Sequence, residues 1–159
     1  MTEDEIKAMF VSAANKLIGK KASIISPLRA SLDVAFDIFA LEAETAELQD
    51  EIMVVSDLIE KCIYENAHVA LDQTEYQKRY DSLTARFDTA KTRLEEIEAA
   101  IADKKSRRAA IEAFLDTLTK ADLMEKFDPA LWCGLVDFVT VYAKDDVRFT
   151  FKDGQEIKA

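Results

Sequence analysis

The chain has 159 residues, of which 31 are acidic and 21 basic, so its formal net charge is −10. Because nucleic-acid affinity comes largely from Lys and Arg that neutralise phosphates, this balance argues against strong DNA binding by the chain alone. Hydrophobic residues make up 49% of the sequence, with only three glycines and two prolines, which excludes disorder and favours long helices. No signal peptide or apolar run of membrane length is visible, so we expect a cytoplasmic protein with reduced thiols and no membrane partner.

Residues 1–40 are predicted to form a helical base of two helices. Thr2 and Glu5 match a capping box at the start of the first helix, and Gly19 is placed to end it. The second helix is predicted to open with Ser26 as cap and Pro27 in the first turn. Its buried stripe is expected to comprise Leu28, Leu32, Phe36 and Phe39. No breaker follows, so nothing in the sequence fixes the boundary near residue 40.

Residues 41–103 carry two heptad stripes, which predict a coiled-coil arm. The seam residues of the first stripe are Leu41, Thr45, Leu48, Ile52, Val55, Ile59 and Cys62. Those of the second are Tyr76, Tyr80, Leu83, Phe87, Ala90, Leu94, Ile97 and Ile101. The stripes are similar in length and a short polar segment joins them, so they predict an antiparallel hairpin. A capping signature that begins at Asp72 places the tip at about residues 66–74.

Residues 104–137 are predicted to hold the end of the return helix and a short helix, both packed on the base. The stripe resumes at Ile111, Leu115 and Leu118. Asp128 and Pro129 repeat the cap-then-proline signal before Trp132, and the neighbouring Cys133 is expected to be a core thiol.

Residues 138–159 change character and predict a three-stranded antiparallel β-meander. Val139–Tyr142 is β-branched and aromatic, Val147–Phe151 alternates apolar and polar residues, and Asp153–Gly154 is a hairpin-turn signal. Three strands need a helix or another sheet over their apolar face. The expected fold class is mainly α: a helical base, a long antiparallel coiled-coil hairpin and this small meander.

The residues offer little for catalysis. His68 is the only histidine, near the arm tip, and no cysteine or serine nucleophile is obviously paired with it. Cys62 and Cys133 form no metal-binding pattern, and no Gly-rich phosphate loop is present. We therefore expect this chain to be no enzyme, with no metal, cofactor or small-molecule substrate of its own.

Two features suggest recognition. Near the tip, apolar or amphipathic side chains occur where a turn needs only polar ones: Tyr64, His68, Val69, Leu71 and Tyr76. A cap that packs on itself would explain some of them, and a protein-docking tip would explain all of them. Four positive charges also lie within five residues, at Lys104, Lys105, Arg107 and Arg108. A solvated, salt-bridged helix segment is the favoured interpretation, and DNA-backbone contact is the weaker one.

The order of these parts and the amino-acid sequence of several stretches resemble the C-terminal coiled-coil region of large serine recombinases. These site-specific recombinases of the resolvase–invertase superfamily come from mobile elements of Gram-positive bacteria. The resemblance covers essentially the whole chain and lies in Glu5–Phe10, Tyr76–Tyr80, Phe127–Trp132, Val139–Tyr142 and Asp146–Gly154. The last two stretches are the most specific, whereas a hairpin alone is not.

The resemblance implies a non-catalytic fragment of a larger enzyme. In the family, an N-terminal domain carries the nucleophilic serine, and a recombinase domain and a zinc ribbon bind the attachment site. Neither the catalytic motif nor the ribbon cysteines occur here, so this chain would begin after the ribbon, and zinc is expected only in that upstream part. The arms of family members are thought to touch between subunits, which favours correct synapsis and sets the direction of integration or excision.

The implied partners are other recombinase subunits, met through the arm tip, and DNA in the full-length protein, with weak or no DNA binding by this fragment. A stand-alone structural or chaperone-like coiled-coil protein is the alternative. Composition and acidity fit this alternative equally well, and only the amino-acid sequence of the last strands argues against it.

Overall fold

The computed structural model describes residues 2–159. Its elements are, in chain order, α1 Glu3–Ile18, α2 Lys21–Ala35, α3 Phe39–His68, α4 Gln73–Lys120, α5 Pro129–Leu135, β1 Val136–Ala143, β2 Asp146–Phe151 and β3 Glu156–Lys158. The strands form one antiparallel sheet in the order β1-β2-β3. The predicted mainly α class with a C-terminal meander is confirmed.

The chain divides into two compact units. The base unit comprises the residues through Phe36 together with Ser106–Ala159, and the arm unit comprises Asp37–Lys105. The predicted arm, residues 41–103, falls within the arm unit. Helix α4 contributes residues to both units, its first part to the arm and its last part to the base.

The base unit is organised around Phe10 of α1, which is fully buried. Its ring lies 5.0 Å from the Trp132 ring, 5.7 Å from that of Phe127 and 6.0 Å from that of Phe149. These centroid separations are in the range at which edge-to-face aromatic contacts stabilise a core. The helix α1 thereby supplies the cover that the apolar face of the meander requires.

Alternation along β2 produces that apolar face. Val147, Phe149 and Phe151 are buried, whereas Arg148 and Thr150 between them are partly exposed. Beyond β2 the chain reverses in a turn where Gly154 has a φ of +87°, a conformation that favours glycine. The predicted period of two and the predicted turn are both confirmed.

The predicted caps of the first and last helices are also present. Thr2 and Glu5 form the complete capping box, and the helix α1 ends at Gly19 in a right-handed conformation rather than the left-handed one common at glycine caps. The Asp128 carboxylate accepts hydrogen bonds from the backbone N–H groups of Ala130 and Leu131. Local sequence therefore determines where both helices begin.

The predicted start of the second helix is wrong. Helix α2 begins at Lys21, without a side-chain cap, and Pro27 lies inside it. A proline there leaves the carbonyl of Ser23 without its helical donor, a cost that packing elsewhere must offset. Ile24, one turn before the proline, is buried in the base core, and Lys21 Nζ donates to the Ala121 carbonyl at 2.7 Å.

The predicted boundary near residue 40 and the burial of Phe39 are corrected as well. The helix α2 ends at Ala35 and α3 begins at Phe39, so the break covers residues 36–38. Asp37 Oδ1 accepts a hydrogen bond from the Phe39 N–H, which satisfies one free donor at the start of α3. Phe39 is 78% exposed and contributes nothing to the stripe of the second helix.

Cys133 is exposed, so its predicted role as a core thiol is wrong. It lies in α5 between Trp132, which faces the core cluster, and Gly134, so the helix turns its thiol outward. Cys62 is 1% exposed, as a packing role at the coiled-coil seam predicts.

The arm unit contains the hairpin of α3 and the first part of α4. Every predicted seam residue is buried or half-buried, and the most deeply buried are Val55, Cys62, Leu83, Ala90 and Ile97. The flanking positions on α4 are almost all exposed. A stripe that stays buried over this length is the signature of coiled-coil packing.

Candidate functional site at the arm tip

The connection between α3 and α4 is short and held by its own hydrogen bonds. Helix α3 ends at His68 and α4 begins at Gln73. The Asp72 Oδ1 atom accepts from the Thr74 N–H at 2.8 Å and from the Glu75 N–H at 3.1 Å. The predicted capping signature at Asp72 is thus confirmed, and it satisfies two of the free donors at the start of α4.

Side-chain amides close the loop from the other side. Gln73 Nε2 donates to Asn66 Oδ1 at 3.0 Å and to the Leu71 carbonyl at 3.2 Å. The Val69 N–H continues the helical pattern by donating to the Glu65 carbonyl. Hydrogen bonds between polar groups therefore hold the backbone of this loop in place.

Apolar and amphipathic side chains of this loop and of the end of α3 are exposed to solvent. We call them the tip surface: Ile63, Tyr64, His68, Val69 and Leu71. Tyr64 is 64% exposed and Val69 57%. Several exposed apolar groups within one short stretch, here residues 63–71, are typical of surfaces that bind partners. Four of the five predicted tip residues belong to this surface. Ile63 was not predicted, although its position just outside the heptad seam could have indicated it.

Tyr64 and His68 form a stacked pair one helical turn apart. Their ring centroids are 4.0 Å apart with an interplanar angle of 23°, and His68 Nδ1 lies 2.8 Å from the Tyr64 carbonyl oxygen. When Nδ1 carries the proton and donates to that carbonyl, Nε2 is left as an acceptor toward solvent. The pair is thus a preorganised flat surface with a polar edge, suited to a protein contact.

Tyr76, the fifth predicted tip residue, has a different role. It is half-buried and packs with Tyr80 against the arm core formed by Val55, Cys62 and Leu83. Beside it lies a hollow of about 230 Å³ lined by Cys62, Leu71, Asp72, Glu75, Tyr76 and Arg79. Of the two interpretations of the tip residues, packing within the arm applies to Tyr76. The other four predicted tip residues are exposed instead.

The basic segment at residues 104–108 is engaged within the chain. Lys104 Nζ donates to the Asp37 carbonyl at 2.9 Å, and Lys105 Nζ lies 3.7 Å from Glu42 Oε1. Arg107 also has an interaction within the chain.

Arg108 makes the strongest of these contacts. Its guanidinium binds Glu112 at 2.9 Å and Asp33 at 2.8 Å, and the hydrogen bonds to these two carboxylates raise its pKa. Such engagement agrees with the favoured interpretation of a salt-bridged helix segment.

The part of the chain that the structure describes, residues 2–159, holds no cluster of three or more His, Cys, Asp or Glu side chains arranged to bind a metal ion. Within the same residues, none of the helices combines the length and apolar character needed to cross a membrane. No known family model, curated protein or solved structure matches the chain.

Proposed function

We propose that this chain is the non-catalytic, C-terminal coiled-coil part of a site-specific serine recombinase. In this proposal its tip surface mediates contact between recombinase subunits while DNA is integrated or excised. The observation that carries the proposal is the exposed apolar tip surface on a hairpin whose loop is already satisfied by hydrogen bonds. The resemblance of Val139–Tyr142 and Asp146–Gly154 to the recombinase family supports it.

The hairpin holds the tip surface at the end of a long pair of helices. The helix α3 has 30 residues, which is about 45 Å at the helical rise. Pairing with α4 along a continuous seam stiffens it, so the tip surface keeps a defined orientation. A contact made only between such tips restricts which subunits can meet and in which relative orientation.

Weak tip contacts are sufficient for this role. Once subunits are bound to DNA, a second binding event becomes intramolecular and its effective concentration reaches the millimolar range. A tip surface of a few apolar side chains then contributes to synapsis without making the free protein aggregate. Because the segment 104–108 is engaged within the chain, DNA binding is assigned in this proposal to other parts of the full-length protein.

The test uses the full-length recombinase with Tyr64→Ser, Val69→Ser and Leu71→Ser introduced together. All three side chains are exposed, so the change should leave the folded state intact while it removes the apolar contact. We expect synapsis and recombination of correct site pairs to fall and the preference for one direction to relax. Catalysis of DNA cleavage at a single site should persist.

The matched control is Val34→Ser with Leu123→Ser. These residues are 83% and 68% exposed and belong to the base unit, so the control removes exposed apolar side chains that are not part of the tip surface. Recombination should be unaffected by this pair. Unchanged integration and unchanged directionality in the tip variant would instead refute the proposed role of the tip surface in subunit contact.

A further inference from the structure

Net charge is distributed very unevenly between the two units. Residues 37–105 contain 17 acidic and 8 basic side chains, a net charge of −9, and the remainder of the chain contains 14 acidic and 13 basic side chains, a net charge of −1. Almost all of the net negative charge of the protein therefore belongs to the arm unit.

Within the arm unit the charge is again uneven. The tip segment, residues 61–79, holds three acidic and three basic side chains and is neutral. The shaft, residues 37–60 and 80–105, holds 14 acidic and 5 basic side chains and carries the whole −9. Residues 37–60 contain eight acidic side chains and no Lys or Arg. The neutral tip segment coincides with the apolar tip surface.

The charge density of the shaft is large on the scale of nucleic acids. Its return helix, the 26 residues 80–105 of α4, is about 39 Å long, so the shaft carries roughly one net negative charge per 4 Å of its length. Duplex DNA carries about one per 1.7 Å. At low ionic strength, where the Debye length is about 30 Å at 0.01 M salt, two such shafts repel each other along their full length.

The acidic residues in the shaft part of α3, up to residue 60, fall into two groups. Those beside α4 are paired: Glu42 with Lys105, Glu44 with Arg93 and Glu51 with Arg86. Those on the outward side are exposed and form no ion pair with any residue of the described range 2–159: Glu47, Asp50, Asp57 and Glu60. The second group has no ion pair within these residues, so no basic side chain neutralises its charge locally.

We infer that the shaft is an electrostatic spacer that repels other arms and DNA, so that the neutral tip surface is where a second copy of this arm makes contact. The inference rests on the proposed function for the meaning of that contact. Apolar attraction between tips survives high salt, whereas repulsion between shafts is screened by it. Contact between arms is therefore confined to the tips by charge as well as by shape.

The test compares the rates at which single cysteines at the tip and on the shaft form intermolecular disulfides. Ala70→Cys and Ala46→Cys are introduced separately into the chain with Cys133→Ser, and both alanines are exposed. The buried Cys62 is retained. Each rate is measured at about 10 mM and about 1 M NaCl and is divided by the rate of reaction with uncharged dithiodipyridine, which corrects for thiol reactivity.

We expect the tip cysteine to cross-link readily at both salt concentrations. The shaft cysteine should react slowly at low salt and gain roughly tenfold or more at high salt. Neutralising the outward residues with Glu47→Gln, Asp50→Asn, Asp57→Asn and Glu60→Gln should produce the same gain at low salt. Tip and shaft rates that are equal at low salt, or a shaft rate that responds to neither change, would overturn the inference.

The matched control changes total charge equally but in the base unit. It carries Asp122→Asn, Glu125→Gln, Asp137→Asn and Asp145→Asn, all exposed and without an ion pair in the described residues. The shaft rate should not change in this variant, because the relevant charge is local. An equal gain would show an effect of total charge alone and refute the spacer.

This test does not involve recombination. If the shaft behaves as a spacer but the tip variant of the full-length protein recombines normally, the electrostatic inference stands and the proposed role of the tip surface in subunit contact falls. If recombination depends on the tip while shaft and tip cysteines cross-link alike, the reverse holds.

Discussion

Arg93 and Glu44 join the two helices of the arm through a two-pronged ion pair. Arg93 Nε donates to Glu44 Oε1 at 2.8 Å, and Arg93 Nη2 donates to Glu44 Oε2 at 3.1 Å. The hydrogen bond from the arginine holds the pKa of the Glu44 carboxyl below its ordinary value. Planar guanidinium and carboxylate groups match each other in this arrangement, which gives the contact a defined geometry.

A second Arg–Glu ion pair between the two helices lies one heptad further along. Arg86 donates to Glu51 Oε1 from Nε at 3.1 Å and from Nη2 at 2.7 Å. A step of seven residues up α3 is thus matched by a step of seven down α4. The two pairs mark the antiparallel register independently of the apolar seam.

Reversing the charge of one partner in each of these ion pairs should destabilise the hairpin, and reversing the charges of both partners should restore its stability. Arg86→Glu with Arg93→Glu places like charges opposite each other and should lower the melting temperature. Adding Glu44→Arg and Glu51→Arg should recover most of the loss, because the contacts re-form with opposite polarity. Thermal unfolding followed by circular dichroism measures this, and a quadruple variant no more stable than the double one would contradict the register.

Phe87→Ala tests the seam itself. Phe87 is half-buried and packs against the arm core, so its truncation should cost about 3 kcal/mol, the lower end of the range for buried phenylalanine. Thr89→Ala, at an exposed position two residues on, should change stability by less than about 0.5 kcal/mol. Urea unfolding of the two variants checks the difference, and an unaltered midpoint for Phe87→Ala would mean that the ring faces solvent.

Gly134→Ala should destabilise the base unit even though it replaces glycine within a helix. A Cβ at Gly134 would lie 2.7 Å from Thr117 Cγ2 and 3.0 Å from Thr117 Oγ1. We expect a loss of about 1–3 kcal/mol from this overpacking. Thr117→Ala removes both atoms, so the double variant should regain stability in the same unfolding measurement. A single Gly134→Ala variant that is more stable than the parent would show that the helices separate at little cost.

Asp146 gives the protein an acid-sensitive contribution to stability. Its carboxylate accepts from Arg148 at 2.9 Å and 3.1 Å and lies 3.7 Å from Lys158 Nζ, and the hydrogen bonds from Arg148 lower its pKa below 3.8. Because the folded-state pKa is the lower one, the contribution is complete above about pH 3.8 and is lost as pH falls through the folded value.

Asp146→Asn should therefore melt at a lower temperature than the parent at pH 7. The gap between the two melting temperatures should narrow as the pH falls below about 3.8 and through the lower folded-state pKa, at which the parent carboxylate becomes neutral in the folded protein. Melting curves between pH 7 and pH 2.5 measure it. A gap that stays constant over this range would show that the stabilising group is not the ionised Asp146.

The seam of the arm could be predicted from sequence because a heptad repeat records burial directly. Each predicted position from Leu41 to Cys62, and from Tyr76 to Ile101, is buried or half-buried. The caps at Thr2, Asp72 and Asp128 were predictable for a related reason. Each acts on backbone donors within three residues of itself, so local chemistry is sufficient.

The errors occurred where tertiary packing decides. Pro27 marks the start of a helix only when packing does not hold the preceding residues in helical conformation. Here the burial of Ile24 extends α2 to six residues before Pro27. The exposed positions of Phe39 and Cys133 depend on the break at residues 36–38 and on the orientation of α5, which no local pattern reveals. Similarly, the backbone contact of Lys104 could not be anticipated from a run of positive charges.

The reading frame upstream of Met1, obtained by sequencing the native DNA, tests the central claim most directly. The proposed function predicts an in-frame cysteine-rich zinc ribbon preceded by a serine-recombinase catalytic domain. A stop codon and a ribosome-binding site immediately before Met1 would instead make the chain a free coiled-coil protein and contradict the recombinase assignment.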